Sequence, residues 1–305
     1  QSREVLDAVV LGCGVSVLLA FPQSAYQFVW IGLRAEGGSG NPGVFAVLTL
    51  VFGTIGALNV VAADKVRRWL GAASWFAMVF CVLASGMRGI WIAIPVTTAF
   101  VIWVATKWMS GRAVRQGMLL ASVVLAIGIG VAGDSLWERA TLLQKDVADI
   151  VEGGDYDSST GRRLLMYEGA WRAIVEAPLT GYGIYERMDA VRAHLPEETH
   201  NLVGYTHPHN GFLAALLDAG IIGLASLLLL LVAPVWVAAM APGDETWRIR
   251  MAAALILVVG FAASGMTNIL FEHDLMDSAF IVLLVLIAST IPRPAEQGGA
   301  SERDR

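Results

Sequence analysis

The sequence predicts an all-α fold: a polytopic bundle of transmembrane helices with one large, partly helical loop. Three observations carry that prediction. Of 305 residues, 56% are apolar and only 15% charged, against about 25% charged in an ordinary globular domain; the mean hydropathy is +0.63. The apolar residues gather into eight nearly uncharged runs, at 5–21, 43–63, 69–86, 89–106, 117–133, 211–239, 249–268 and 278–291, each at or near the roughly 20 residues that cross a bilayer as a helix. Basic residues are also distributed unevenly between the two sets of connections.

The runs lack the alternation of a β-barrel, so helices must satisfy the backbone in lipid. Arg3, Lys65, Arg67, Arg68, Lys107, Arg112, Arg115, Arg248, Arg250, Arg293, Arg303 and Arg305 fall on one side, and Arg34 and Arg88 on the other. This asymmetry places both termini in the cytoplasm, and an even span count agrees. Residues 1–133 then form the N-terminal transmembrane helices and 134–210 a loop outside. Residues 211–292 form the C-terminal helices and 293–305 a cytoplasmic tail. Cys13 and Cys81 sit inside apolar runs and read as small buried hydrophobes. The first residue is Gln, from which a longer natural protein is expected.

The loop holds 13 Asp and Glu and seven Lys and Arg, with interspersed aromatics, and at that length it should fold. Asp155 to Thr160 read as a turn into a helix capped near Ser159 or Thr160. That helix would run from Gly161 to about Ala177 and stop before Pro178. Leu164, Tyr167, Trp171, Ile174 and Val175 form an apolar stripe on it, for the membrane interface or the bundle. Residues 178–183, Pro-Leu-Thr-Gly-Tyr-Gly, read as a tight turn. The loop ends at Tyr205-Thr206-His207-Pro208-His209-Asn210-Gly211, where Asn210 caps the next span and fixes His209 at its mouth.

Several residues carry chemistry. Arg88 works against the charge asymmetry; it either snorkels to headgroups or contacts an anion at the outer rim. Arg162 and Arg163 begin the loop helix, where guanidiniums oppose the dipole. A bound phosphate would offset that, as would Asp155 and Asp157. His207 and His209 lack a defined third metal ligand, and His209 suits general acid/base use as well as a structural role. Glu272, His273, Asp274 and Asp277 form a further external loop. No nucleotide-binding motif or nucleic-acid stripe occurs. An outward-facing enzyme without a nucleotide supply needs a preactivated, lipid-linked donor.

The ordered set Ser85-Gly86-Met87-Arg88-Gly89, Thr160-Gly161-Arg162-Arg163 with Trp171, Pro178 to Gly183, His209-Asn210-Gly211-Phe212-Leu213 and Asp218-Ala219-Gly220-Ile221-Ile222-Gly223 resembles the O-antigen ligase family. That family also includes O-antigen polymerases and bacterial protein O-oligosaccharyltransferases. The chain departs from the common Ser-Arg-Gly form ahead of Arg88, and has Asp218 where many members have Glu. The resemblance implies about twelve spans in the full protein and a bacterial inner-membrane location, with the site facing the periplasm. It implies a metal-independent, cofactor-free, inverting glycosyltransferase, with undecaprenyl-pyrophosphate-linked glycan as donor and the lipid A core as acceptor. Membrane lipids are further partners; nucleic acid is not. On this pattern Arg88 and Arg162 bind pyrophosphate and His209 is the general base. Arg163, Trp171, Tyr182, His207 and Asn210 are substrate-binding candidates. A repeat unit or a Ser/Thr acceptor would make the protein a polymerase or a protein glycosyltransferase. A lipid-linked glycan transporter is the non-enzymatic alternative, but transporters place their polar groups near the midplane.

Overall fold

A computed structural model describes residues 2–241 and 243–291, and the regular elements in them are helical. In chain order they are α1 (Ser2–Ala25), α2 (Pro42–Ala57), α3 (Lys65–Ala84), α4 (Arg88–Trp91), α5 (Ala93–Trp108), α6 (Gly111–Gly153), α7 (Ser159–Glu176), α8 (Arg187–Ala193), α9 (Gly211–Met240), α10 (Trp247–Gly265) and α11 (Asp274–Ser289). Six helical stretches among the described residues are long and apolar enough to cross a membrane: Ser2–Trp30, Pro42–Val61, Lys65–Ala84, Arg88–Trp108, Gly211–Met240 and Trp247–Gly265. The chain is therefore a polytopic membrane protein. Of the other two expected spans, 117–133 lies within the 43-residue α6 and 278–291 falls mostly on the 16-residue α11. At 1.5 Å per residue, α11 is shorter than a typical hydrocarbon core.

The chain divides into two compact units: Gln1–Gln116 with Leu231–Ser264 and Phe271–Arg305, and Gly117–Leu230 with Gly265–Leu270. In the first, α2 is the central helix. It is buried along almost its whole length and packs on α1, α3, α5 and α11. Asn41 and Pro42 start it: the Asn41 side chain accepts from the N–H groups of Gly43 and Val44, and proline at N1 forgoes a donor that would be unused there. Thr49 and Thr54 return their hydroxyls to the carbonyls of Phe45 and Leu50, so neither leaves a polar atom unsatisfied in lipid. Basic residues collect at one end of this unit. Arg3 pairs with Glu245, Arg67 with Asp7, and Lys107 donates to the Glu245 carbonyl. Arg250, fully buried, joins Asp244 (2.6 Å) to Thr290 at the end of α11.

The second unit begins differently from the sequence expectation. Residues 134–153, expected as the start of the loop, continue α6 as helix. They contain no proline, and their only glycine is the last residue, so nothing interrupts the helix before left-handed Gly154. The following helix is capped by Ser158, whose hydroxyl accepts from Gly161 N–H at 2.9 Å, one residue earlier than expected. α7 ends at Glu176, ahead of Pro178, as the sequence implies. Its packing face shares only Ile174 and Tyr167 with the expected stripe. Leu165, Met166, Ala170, Ala173 and Ile174 are buried against Met188 and Val191 of α8 and Leu217 of α9. Leu164, Trp171 and Val175 stay exposed. The spacing of apolar residues fits either face, and small Gly169, Ala170 and Ala173 let α8 approach the second one.

The main irregularity of this unit is a break inside α9, at Ala219 (φ −145) and Gly220 (φ 58). The turn at 178–183 fills it. Tyr182 N–H donates to the Leu217 carbonyl (2.7 Å), Gly183 N–H to Asp218 (2.9 Å), and Ile221 N–H to Pro178 (2.8 Å). Backbone groups that the break would orphan are thus satisfied by another strand of chain, as buried groups must be. The approach leaves no space for side chains: a Cβ on Gly181 would meet the Leu217 carbonyl at 2.4 Å, and one on Gly220 the Leu179 carbonyl carbon at 2.3 Å. Gly181→Ala is expected to cost about 1–3 kcal/mol in backbone strain alone, since its φ is +62, and more from the clash. Thermal unfolding of the detergent-solubilised protein with proteolysis within 178–210 measures it; wild-type resistance would contradict the docking.

Candidate active site

The site is built where the first turn of α7 meets the segment leading into α9. Arg162 and Arg163 lie in that first turn, which Ser158 caps. Asp155 Oδ1 accepts from Asp157 N–H (2.9 Å), closing a local turn that presents the Asp157 carboxylate to Arg162 at 2.6 Å. Hydrogen bonding to Asp157, then to Tyr205, holds the Arg162 pKa above its usual value. Its Nε hydrogen has no acceptor among the described residues. Arg162 is therefore locked as a cation, with donor capacity left over.

Tyr205, His207 and His209 stack edge to face, with ring centroids 4.9 Å apart for Tyr205–His209 and 4.4 Å for His207–His209. His207 Nδ1 accepts the His209 N–H at 3.1 Å, and Tyr167 Oη donates to the His209 carbonyl at 3.5 Å. His209 has φ 54, a left-handed conformation uncommon outside glycine though less so for histidine than for most residues. Asn210 then caps α9 through Phe212 and Leu213 N–H (3.0 and 3.1 Å). Burial, then the neighbouring His207 and Arg163, lower the His209 pKa from 6.5 to about 4. Its imidazole is consequently neutral at ordinary pH, with a lone pair free to accept a proton.

A buried ion pair holds this constellation in register. Arg187, 3% exposed, donates through Nη1 to Asp218 at 3.0 Å and through Nε to the Thr206 carbonyl at 3.0 Å. Its own N–H donates to the Gly183 carbonyl. One guanidinium therefore ties together the α9 break, the turn that fills it, and the residue just before His207.

The structure brings together Arg162, Arg163, His207 and His209 of the residues expected from sequence. Asn210 is committed to its cap. Tyr182 serves the scaffold, its hydroxyl donating to the Ala173 carbonyl at 3.0 Å; desolvation, then Glu176, raises its pKa. Trp171, nine residues from Arg162, projects from the other side of α7 and is 62% exposed. Arg88 belongs to the first unit, half-buried at the start of α4. Sequence reasoning did not single out Tyr205 or Arg187, and it assigned Tyr167 to the apolar stripe. Tyr205 had a signal, standing two and four residues from the histidines; Arg187 had none, since Asp218 is 31 residues away.

The fold and site define a helical membrane protein whose polar segment carries a cationic, histidine-containing cluster. The family model described as O-antigen ligase matches residues 73–228, and the chain belongs to that family, an enzymatic one. The match covers Arg88, Arg162, Arg163, His207, His209 and the α9 break. The chain is also similar to an uncharacterized protein of Haemophilus influenzae (strain Rd), 23% identical over 154 residues, covering 50% of this chain and 39% of that protein. The chain thus spans well under two thirds of that relative's length.

Two outcomes follow. Arg187→Met removes the guanidinium that pairs with Asp218 and is expected to cost about 3 kcal/mol, partly recovered by adding Asp218→Leu; thermal unfolding of both variants reads this. For His209, the unfolded state takes up its proton first as pH falls below 6.5. Its contribution to stability is full above that pH and declines toward pH 4. His209→Asn should therefore flatten the pH dependence of the melting temperature between those values; an unchanged slope contradicts the lowered pKa.

Proposed function

We propose that the protein is an O-antigen ligase in the strict sense, a glycosyltransferase of the bacterial inner membrane acting on its periplasmic face. Its donor is a glycan on undecaprenyl pyrophosphate and its acceptor a sugar hydroxyl of the lipid A core. The observation that carries the reading is the juxtaposition of a permanently cationic Arg162 with a neutral His209, joined through Tyr205. The family match supports the class of reaction, and the polytopic helices support the location.

In this reading Arg162 and Arg163 hold the pyrophosphate, the fork of Arg162 supplying paired donors to its oxygens. The acceptor oxygen attacks the anomeric carbon from the face opposite the leaving group, with inversion. The C–O bond to pyrophosphate breaks, and its electron pair departs with undecaprenyl pyrophosphate. His209 takes the hydroxyl proton. The negative charge lost from the sugar accumulates on phosphate oxygens already facing guanidiniums, where preorganised charge is most effective. A pyrophosphate beside His209 also offsets the Arg163 charge and raises the imidazole pKa from about 4, strengthening the base only when the donor is bound. Arg88 is proposed as a further anion contact on the family pattern. His207 orients His209, and the exposed Trp171 is proposed to face lipid or glycan.

The test is reconstitution of the purified protein with lipid-linked glycan and no nucleotide. Lipid A core, a lipid-linked repeat unit and a Ser/Thr peptide are offered as parallel acceptors. Covalent transfer to the core is expected, with Arg162→Ala and His209→Ala each lowering the rate at least about a hundredfold while both variants still insert and fold. Transfer only to the repeat unit or only to the peptide would assign the polymerase or the protein-glycosylating activity. Translocation of intact donor without any product would instead make it a transporter.

A further inference from the structure

Besides Arg88, Arg34 is the basic residue of the short connections expected outside, and it precedes the region that the family model matches. In the first unit its Nε donates to the Ser85 carbonyl at 2.7 Å, while Ala35 N–H donates to the Ala84 carbonyl at 3.0 Å. Two segments about fifty residues apart in sequence are thereby pinned at one end of this unit. The guanidinium lies across the turn that leads to Arg88. Gly86 has φ 67, and a Cβ there would meet Arg34 Nε at 3.1 Å. Ser85 tightens the same turn, its hydroxyl accepting from Met87 N–H, and Arg88 N–H donates to the Gly86 carbonyl.

Only one Arg34 donor is used in this contact. Its terminal nitrogens, and the whole Arg88 guanidinium, make no hydrogen bond or ion pair among the described residues. Glu36, two residues on, contributes backbone groups to its own turn and pairs with neither arginine. Two permanent cations held near one turn without a counter-ion repel each other, an arrangement that a bound anion would stabilise. Immediately before Arg34 the chain is apolar and aromatic, with Phe28, Trp30, Ile31 and Leu33 between 49% and 73% exposed. A cationic fork beside an exposed apolar-aromatic surface matches a ligand with a phosphate head and a hydrocarbon chain.

We propose that Arg34 and Arg88 form a lipid-phosphate site, in which Arg34 both fixes the Arg88 turn through Nε and grips the anion through Nη1 and Nη2. The head group is a prenyl pyrophosphate or a phospholipid phosphate. The choice of the first rests on the transferase reading above.

The test uses the full chain in nanodiscs, with undecaprenyl pyrophosphate lacking glycan as the probe and binding read by native mass spectrometry. Phosphatidylglycerol and inorganic pyrophosphate serve as competitors. Arg34→Gln is expected to weaken probe binding about tenfold with an unchanged melting temperature, and Arg34→Lys, which keeps the charge, to weaken it less. Equal displacement by phosphatidylglycerol supports the site as one for membrane phosphate in general and leaves the transferase reading untouched. Equal displacement by inorganic pyrophosphate overturns the part played by the apolar surface. Wild-type binding by Arg34→Gln, with Arg88→Gln impaired, overturns the role of Arg34 alone. Equal losses in the Gln and Lys variants with lowered melting temperatures reduce Arg34 to a structural latch. Absence of probe binding by the wild type overturns this site, whereas the transferase reading stands or falls with the transfer assay.

Discussion

The break in α9 is the constraint on which the second unit depends. A helix interrupted at Ala219–Gly220 leaves carbonyls and an N–H without partners, and in an apolar setting each unsatisfied group costs several kcal/mol. The turn at 178–183 removes that cost with three backbone hydrogen bonds. In doing so it fixes where α7 ends and α8 begins. Arg187 then ties the same junction to the Thr206 carbonyl, so the break helps to position the histidine segment, together with the contacts of Tyr167 and Arg162. The two glycine-rich motifs, separated by dozens of residues, are halves of one joint.

The site shows how a neutral base and a fixed cation coexist. Arg162 is paired with Asp157 and hydrogen-bonded to Tyr205, which stabilises its charge. His209 is half-buried beside Arg163, which disfavours its protonation. Opposite shifts on neighbouring groups suit the two roles proposed for them, one holding negative charge and one accepting a proton. The left-handed backbone at His209 concentrates strain where the chemistry is proposed, and the Arg187 brace and the Asn210 cap hold it from either side.

Much of the fold was legible because lipid imposes simple rules. Apolar length marked six of the eight expected spans, and proline and serine marked the ends of α7. Where reading failed, the reasons were a polar helix without an apolar signal and packing between residues far apart in sequence. The continuation of α6 past residue 133 depends on helix propensity without an apolar signal, and polarity alone had suggested a loop. On α7 two apolar faces were available, and only the small residues facing α8 decide between them. The placement of Arg162 and Arg163 at the start of α7, and of His209 just before α9, was legible because capping signals are local. Arg187 pairs across 31 residues, Tyr182 serves as a brace rather than a contact, and the meaning of Gly181 and Gly220 lies in each other. None of these is local.

The central claim is that His209 is a base whose strength is set by the anion beside it. Titration of the isotopically labelled imidazole by NMR, with and without undecaprenyl pyrophosphate, tests it most directly. The account predicts a pKa of about 4 in the free protein and a clear rise on adding the lipid, absent in Arg162→Ala. A free-protein value at the ordinary histidine pKa, or no movement when the lipid binds, would contradict it.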